Sequence, residues 1–196
     1  MQNRNGITFN AELARKSIHI SNLVIPFSIY LFSPSKVIPF LLFFMVFCIS
    51  MDSLRINSTY FKNIYNHFFG FMTRNKENVV FTGATNVLIG ATIVTIFFNK
   101  SAIIPSLVVM SISDTLAAIV GIKYGSITTV NQKTLEGTFS FSSSCFIILF
   151  LFELGFATSL IISIITTMSE LFISNKYIDD NLFIPIIVAT LITLLV

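Results

Sequence analysis

The chain has 196 residues, 54% of them hydrophobic and 11% charged, with a mean hydropathy of +0.85 and a formal net charge of +3. This balance excludes a soluble domain built around one core, because there is too little polar surface to cover it. The positive residues flank apolar runs rather than forming a patch of their own, which argues against a nucleic-acid partner.

Seven apolar runs follow in order, over roughly 18–32, 36–50, 84–98, 102–120, 137–152, 155–169 and 182–196, each near the ~20 residues that one bilayer crossing needs. The expected fold is therefore all-α: one polytopic membrane helix bundle of about seven transmembrane helices, forming a single domain over 1–196. A polar, charged stretch precedes the first run with no small-residue cleavage site, so no removable signal peptide is expected. Cys48 and Cys145 both lie inside apolar runs, and neither His19 nor His67 has ligand spacing to them. Neither a disulfide framework nor a zinc site is expected.

Before the first run, Glu12, Arg15, Lys16 and His19 fall at i, i+3, i+4 and i+7, on one helix face. A snorkelling basic anchor accounts for Arg15 and Lys16 more readily than for all four. Asp52 and Arg55 close the second run at i, i+3 spacing, which also suits a plain local ion pair. Residues 53–80 place Ile56, Tyr60, Ile64 and Phe68 at helical spacing among Lys62, Asn63, Asn66 and His67. That pattern predicts an amphipathic helix in the interface plane. It serves either as a connector or as a ramp for a lipid.

The third run opens with Arg74 upstream and then Thr82-Gly83-Ala84-Thr85. Free amides at a helix start, beside small residues and an arginine, suit an anion; a capped, closely packed helix start fits equally. In the fourth run Asp114 is the most informative residue. A charge at that depth costs about 2.5–3.5 kcal/mol on insertion scales, so an ionisable residue there is a functional candidate. Ser111, Thr115 and Ala118 share its stripe. It needs a cation or a metal beside it; a buried ion pair locking two helices is the plainer account.

Gly121 and Gly125 bracket Lys123 in the next turn, followed by Lys133 and by Glu136-Gly137. Glu136, Ser140 and Ser143 predict an inward polar stripe. Ser163, Thr166, Thr167 and Glu170 make another on the sixth run. Asp179-Asp180-Asn181 precedes the last run. One aspartate there is an ordinary helix cap, but two, with Asn181 and Glu170, give the oxygen ligands that magnesium takes.

With the N-terminus inside, ten of the twelve Lys and Arg residues fall in inner segments and only Lys36 and Lys100 in outer loops. All the acids but Glu153 gather on that same inner side. The working face is expected to be cytoplasmic. The absence of targeting signals and long soluble loops favours a bacterial or archaeal plasma membrane.

Taken together, Glu12-Leu-Ala-Arg-Lys-Ser-Ile-His19, Asp52-x-x-Arg55, Thr82-Gly-Ala-Thr85, Asp114-Thr-Leu-Ala-Ala-x-x-Gly121 with Gly125, Lys133-x-x-Glu-Gly137 and Asp179-Asp-Asn-Leu-x-x-Pro185 resemble the CTP-dependent lipid-alcohol kinases. Dolichol, phytol and farnesol kinases and the yeast-type diacylglycerol kinase belong to that family. The resemblance implies transfer of the γ-phosphoryl group of CTP to a membrane lipid alcohol, releasing CDP, with magnesium. It implies that Lys133 and Lys123 meet phosphate oxygens, with Thr115, Gly121, Gly125, Gly137, Arg74, Thr82, Gly83, Thr85 and Asn181 around the nucleotide. Asp114 and Glu136 would hold magnesium or orient Lys133, and Glu170, Asp179 and Asp180 would complete the metal site. Arg15 and His19 would meet the transferred phosphate or the alcohol, and either Asp114 or Asp180 would act as general base. Two other readings use the same residues: a phosphatidate cytidylyltransferase-like CMP transferase, and a transporter or ion-binding membrane protein.

Overall fold

The computed structural model describes residues 9–73, 77, 79–173 and 179–196. Within them the protein is helical, with no strand. Nine α-helices run α1 (Phe9–Ser21), α2 (Val24–Leu31), α3 (Pro34–Asn57), α4 (Thr59–Phe69), α5 (Gly83–Phe97), α6 (Lys100–Tyr124), α7 (Leu135–Leu151), α8 (Phe156–Ile173) and α9 (Asp180–Leu195).

The helix α6 is the axis. It packs on α1, α2, α5, α7 and α9, while α3 lies outside against α5, and α8 bridges α7 and α9. The core is built from β-branched and small residues where helices cross, with Ile29, Val94, Ile103, Leu107, Phe141, Ile162 and Val188 fully enclosed. Outward faces carry bare aromatic and aliphatic side chains such as Phe40, Phe43, Phe97 and Phe139. An apolar exterior of this kind needs a hydrocarbon solvent.

Among the described residues three helices, α3, α6 and α8, are long and apolar enough to cross a membrane, and α5, α7 and α9 are apolar but shorter. At 15 residues α5 rises ~22 Å, against ~30 Å of hydrocarbon. The run expected at 18–32 is split. Pro26 has no N–H to donate to the Asn22 carbonyl, and its ring crowds that carbonyl. The chain instead turns tightly at Asn22 and Leu23, whose N–H groups donate to His19 and Ile20. Where about seven transmembrane helices were expected, the described residues give three of spanning length, three shorter apolar ones and a divided first segment.

The expected interfacial helix is shorter than 53–80. Residues to Asn57 extend α3, so Asp52 and Arg55 occupy its last turns, and α4 alone carries the amphipathic pattern. No α4 residue is buried, and Tyr60, Ile64 and Phe68 stay exposed.

Candidate active site

The charged residues meet where α5, α7 and α9 begin and where α3, α6 and α8 end. The turn between α6 and α7 is shaped first. Thr129 N–H donates to the Lys133 carbonyl (2.7 Å), Leu135 N–H donates to the Ile127 carbonyl (2.9 Å), and Thr128 pairs with Thr134 in one antiparallel bridge. Asn131 closes the turn at φ 56°, a left-handed conformation that asparagine tolerates. Its side-chain amide donates to the Leu171 carbonyl at the end of α8 (2.8 Å).

That clamp aims Lys133 across α8. Its ammonium donates to the Glu170 carboxylate, to the Glu170 carbonyl (2.6 Å) and to Asp180 Oδ2 at the start of α9 (3.3 Å). Burial works against the ammonium, but the carboxylates of Asp180 and Glu170 outweigh it and hold Lys133 above its ordinary value.

Asp114 sits one level deeper on α6. Lys16 of α1 donates to its Oδ2, and His19 Nδ1 lies 3.7 Å from the same oxygen. Neither ring nitrogen of His19, itself buried, has a hydrogen-bond partner among the described residues. Glu12, Lys16 and His19 all face inward from α1, as their shared face requires. Asp114 is therefore a paired charge, and its charge and that of Asp180 both act on His19 and Lys133.

A second group lies beside the first through the neighbouring Arg15. Arg15 Nη2 donates to Glu77 Oε1 (3.0 Å). At the end of α3, Arg55 donates through Nε to Asp52 Oδ1 (3.0 Å), through Nη1 to the Glu77 carbonyl (2.7 Å) and through Nη2 to the Val80 carbonyl (2.9 Å). Its guanidinium also stands 5.0 Å from the Tyr65 ring centroid. Asp52 Oδ2 in turn accepts from Thr82 N–H (2.7 Å), Thr82 Oγ1 (2.9 Å) and Thr85 Oγ1 (2.7 Å). The start of α5 is thus tied to α3, and both threonine hydroxyls are spent on that tie. Gly83 is closely approached there: a Cβ would sit 3.1 Å from Arg15 Nη2 and 3.2 Å from Asn181 Nδ2, so those side-chain ends would have to give way.

The other predicted residues divide. Asn181 is buried beside Gly83, and Asp179 caps α9 by accepting Asn181 N–H (3.2 Å). Thr115 is buried and donates to the Ser111 carbonyl of its own helix. Lys123 is exposed, its ammonium over the Tyr124 ring. Gly121, Gly125 and Gly137 lie at the crossing of α6 and α7. A Cβ on Gly137 would stand 2.8 Å from the Ala117 carbonyl oxygen, and one on Gly121 2.8 Å from Thr134 Oγ1. Glu136 is half-buried, with Oε1 on Ser126 of the preceding turn and Oε2 enclosed without a hydrogen-bond partner among the described residues. Its carboxylate accepts from Ser126 N–H (2.8 Å) and Ser126 Oγ, and these bonds, the hydroxyl's first, pull its pKa down to about 2. Arg74 lies outside the described residues. Glu77, the partner of Arg15, was not legible beforehand: its side chain stands in a polar stretch with no periodicity.

The acids do not form a metal cage. Among the described residues no three of the His, Cys, Asp and Glu side chains group as a metal site. Magnesium usually takes only one or two carboxylates plus substrate phosphates. Asp180 and Glu170 meet that smaller need, since Glu170 Oε2 is buried with no hydrogen-bond partner among the described residues.

An α-helical membrane protein with a buried lysine–carboxylate network at one end is the class that fold and site define. A protein of Rickettsia prowazekii, itself uncharacterised, is 37% identical over 188 residues, covering 91% of each chain. Another uncharacterised protein, of Methanocaldococcus jannaschii, is 30% identical over 185 residues, covering 92% of each. The chain belongs to the family that these two represent. It is more distantly similar to CTP-dependent diacylglycerol kinases of two yeasts. The Saccharomyces cerevisiae enzyme is 30% identical over 133 residues, 65% of this chain and 45% of the kinase. The Schizosaccharomyces pombe enzyme is 27% identical over 206 residues, 94% and 93%. No family model and no solved structure matches the chain.

Proposed function

We propose that this protein is a CTP-dependent lipid kinase, moving the γ-phosphoryl group of CTP to the hydroxyl of a membrane lipid alcohol and releasing CDP. The observation that carries the reading is the network of Lys16, His19, Asp114, Lys133, Glu170 and Asp180, drawn from α1, α6, α8, α9 and one turn to a single end of an apolar bundle. The distant likeness to the yeast kinases supports it and makes diacylglycerol the first alcohol to test, ahead of prenols, phytol and polyprenols. In this reading the bundle crosses the membrane seven times, with α1 and α2 forming one broken crossing and the charged end facing the cytoplasm.

Phosphoryl transfer is mainly positioning and charge neutralisation. Lys133, held between Glu170 and Asp180, exchanges one carboxylate for phosphate oxygens when the nucleotide enters. Arg15 and the first amides of α5 face the transferred group, and Lys16 holds Asp114 in place beside His19. Asp114 and Asp180 are the two carboxylates placed to take the hydroxyl proton. Asp180 and Glu170 would hold a magnesium ion, which would neutralise charge on the phosphates. The alcohol's tail lies in the bilayer along the bare Phe and Ile faces, where burial rewards length but reads it poorly.

The test is turnover by the purified protein in detergent with magnesium. CTP, UTP, ATP and GTP are each supplied with diacylglycerol, farnesol, geranylgeraniol, phytol and a polyprenol, and products are identified by mass spectrometry. Lipid phosphate with CDP is expected. Pyrophosphate with a CDP-lipid would make the protein a cytidylyltransferase, and no product from any pair would overturn both.

A further inference from the structure

Every donor of Arg55 that bonds across space is spent on holding something in place. Asp52 fixes its Nε, and its two terminal nitrogens grip the carbonyls of Glu77 and Val80. Both side chains are almost wholly buried. The segment they hold delivers one carboxylate, Glu77, whose side chain is 4% exposed and accepts from Arg15 Nη2. Arg15 Nη1 is buried and has no hydrogen-bond partner among the described residues. The guanidinium is therefore tied through Nη2, which lies beside Gly83 and Asn181 at the start of α5, while Nη1 has no partner among the described residues. A buried, charged donor without a partner is expensive unless a ligand supplies one.

We infer that Glu77 is a positioning residue: it fixes the guanidinium of Arg15 so that Nη1 meets an anionic phosphate oxygen of the substrate. This deepens the kinase reading and rests on it for the identity of that phosphate. Glu77 does not touch the reacting atoms. It acts through Arg15, and Asp52 and Arg55 act through Glu77. An arginine on a flexible stem would otherwise lose much of its rotamer freedom only on binding, whereas a tethered one is organised beforehand.

The test compares Glu77→Gln, Glu77→Asp, Arg15→Ala and the Arg15→Ala/Glu77→Gln double variant, each checked for monodispersity in detergent. Two readouts are used: kcat and KM for CTP, and the affinity for inorganic tripolyphosphate, which needs no turnover. Glu77→Gln is expected to lower kcat by about 10-fold or more, on the scale that misplacing a catalytic group costs. Tripolyphosphate affinity should fall, and KM for CTP rise, by up to about 10-fold, the scale of one weakened charged hydrogen bond, and Glu77→Asp should recover part of each loss. In the Arg15→Ala background, Glu77→Gln should change neither readout, because its effect runs through Arg15. A Glu77→Gln protein with wild-type kcat and tripolyphosphate affinity would overturn the inference and leave the kinase reading standing. An equal loss with and without Arg15 would also overturn it, marking Glu77 as structural. A wild-type protein without turnover, whose tripolyphosphate affinity still falls on Glu77→Gln only when Arg15 is present, would sink the kinase reading and keep the inference.

Discussion

Lys133→Met separates stability from chemistry. The ammonium serves two carboxylates whose side chains are 6% and 12% exposed, while its own is 18% exposed. Removing one partner of a buried pair costs about 3–5 kcal/mol, because an uncompensated charge stays behind. The partial exposure of Lys133 puts the cost at the lower end, about 3 kcal/mol. For a chain of this size that is a fall in Tm of about 6–12 °C. Lys133→Met/Glu170→Gln removes one stranded charge and should recover a good part of the fall. Activity should not follow: both variants lose a phosphate contact, and kcat should drop by about 10²–10³. Differential scanning fluorimetry with a thiol-reactive dye gives the first quantity and CDP release gives the second. A Lys133→Met protein with kcat within threefold of wild type would refute the reasoning, as would a double variant that regains activity along with stability.

The same lysine sets a pH dependence. Its folded pKa is raised above the ordinary 10.5, so its stabilisation is fully present below that value and is lost only as pH rises through the higher folded pKa. Melting curves should show no loss assignable to Lys133 between pH 7 and about 10; a drop that Lys133→Met abolishes within that range would contradict the pairing. Ser126→Ala should move Glu136 from about 2 back toward its ordinary 4.5, read by carboxyl NMR titration. With Ser126 present, the bond to Glu136 is complete above about pH 4.5 and lost as pH falls toward 2. Gly137→Ala drives a Cβ onto the Ala117 carbonyl, a backbone atom that cannot step aside. It should cost about 1–3 kcal/mol of thermal stability, and an unchanged Tm would mean that α6 and α7 separate freely. Asp114→Asn should fold less stably, with Lys16 left without its anion, and lose at least 100-fold in phosphotransfer; retention of full activity in a folded Asp114→Asn protein would remove Asp114 from the mechanism.

Hydropathy made most of the fold readable. The runs at 84–98, 102–120, 137–152 and 182–196 fall within a few residues of α5, α6, α7 and α9, because apolar length and helix length coincide in a bilayer. Pro26 was the part that hydropathy could not weigh. One such ring barely lowers the apolar character of the run, yet it removes one hydrogen bond and breaks the helix. Within the site, the face shared by Glu12, Lys16 and His19 was legible from 3.6-residue spacing alone. What those residues meet was not: Lys16 with Asp114, Lys133 with Glu170 and Asp180, and Arg15 with Glu77 are tertiary pairings that no local pattern encodes. The spaced glycines 121, 125 and 137 carry an ambiguity that sequence cannot resolve, because close approach of a phosphate and close approach of a helix need the same missing side chain. The structure uses them for the helix.

The pairing of Lys16 with Asp114 joins residues 98 positions apart, and that of Lys133 with Asp180 joins residues 47 apart. Each therefore sets an order of assembly. Helix α1 leaves the ribosome long before its acid does, and α6 enters the bilayer with a carboxylate that costs about 2.5–3.5 kcal/mol until α1 docks on it. Lys133 holds only Glu170 until α9 brings Asp180. The charged end therefore closes only once α1 and α9, far apart in the chain, have both docked beside α6 and α8.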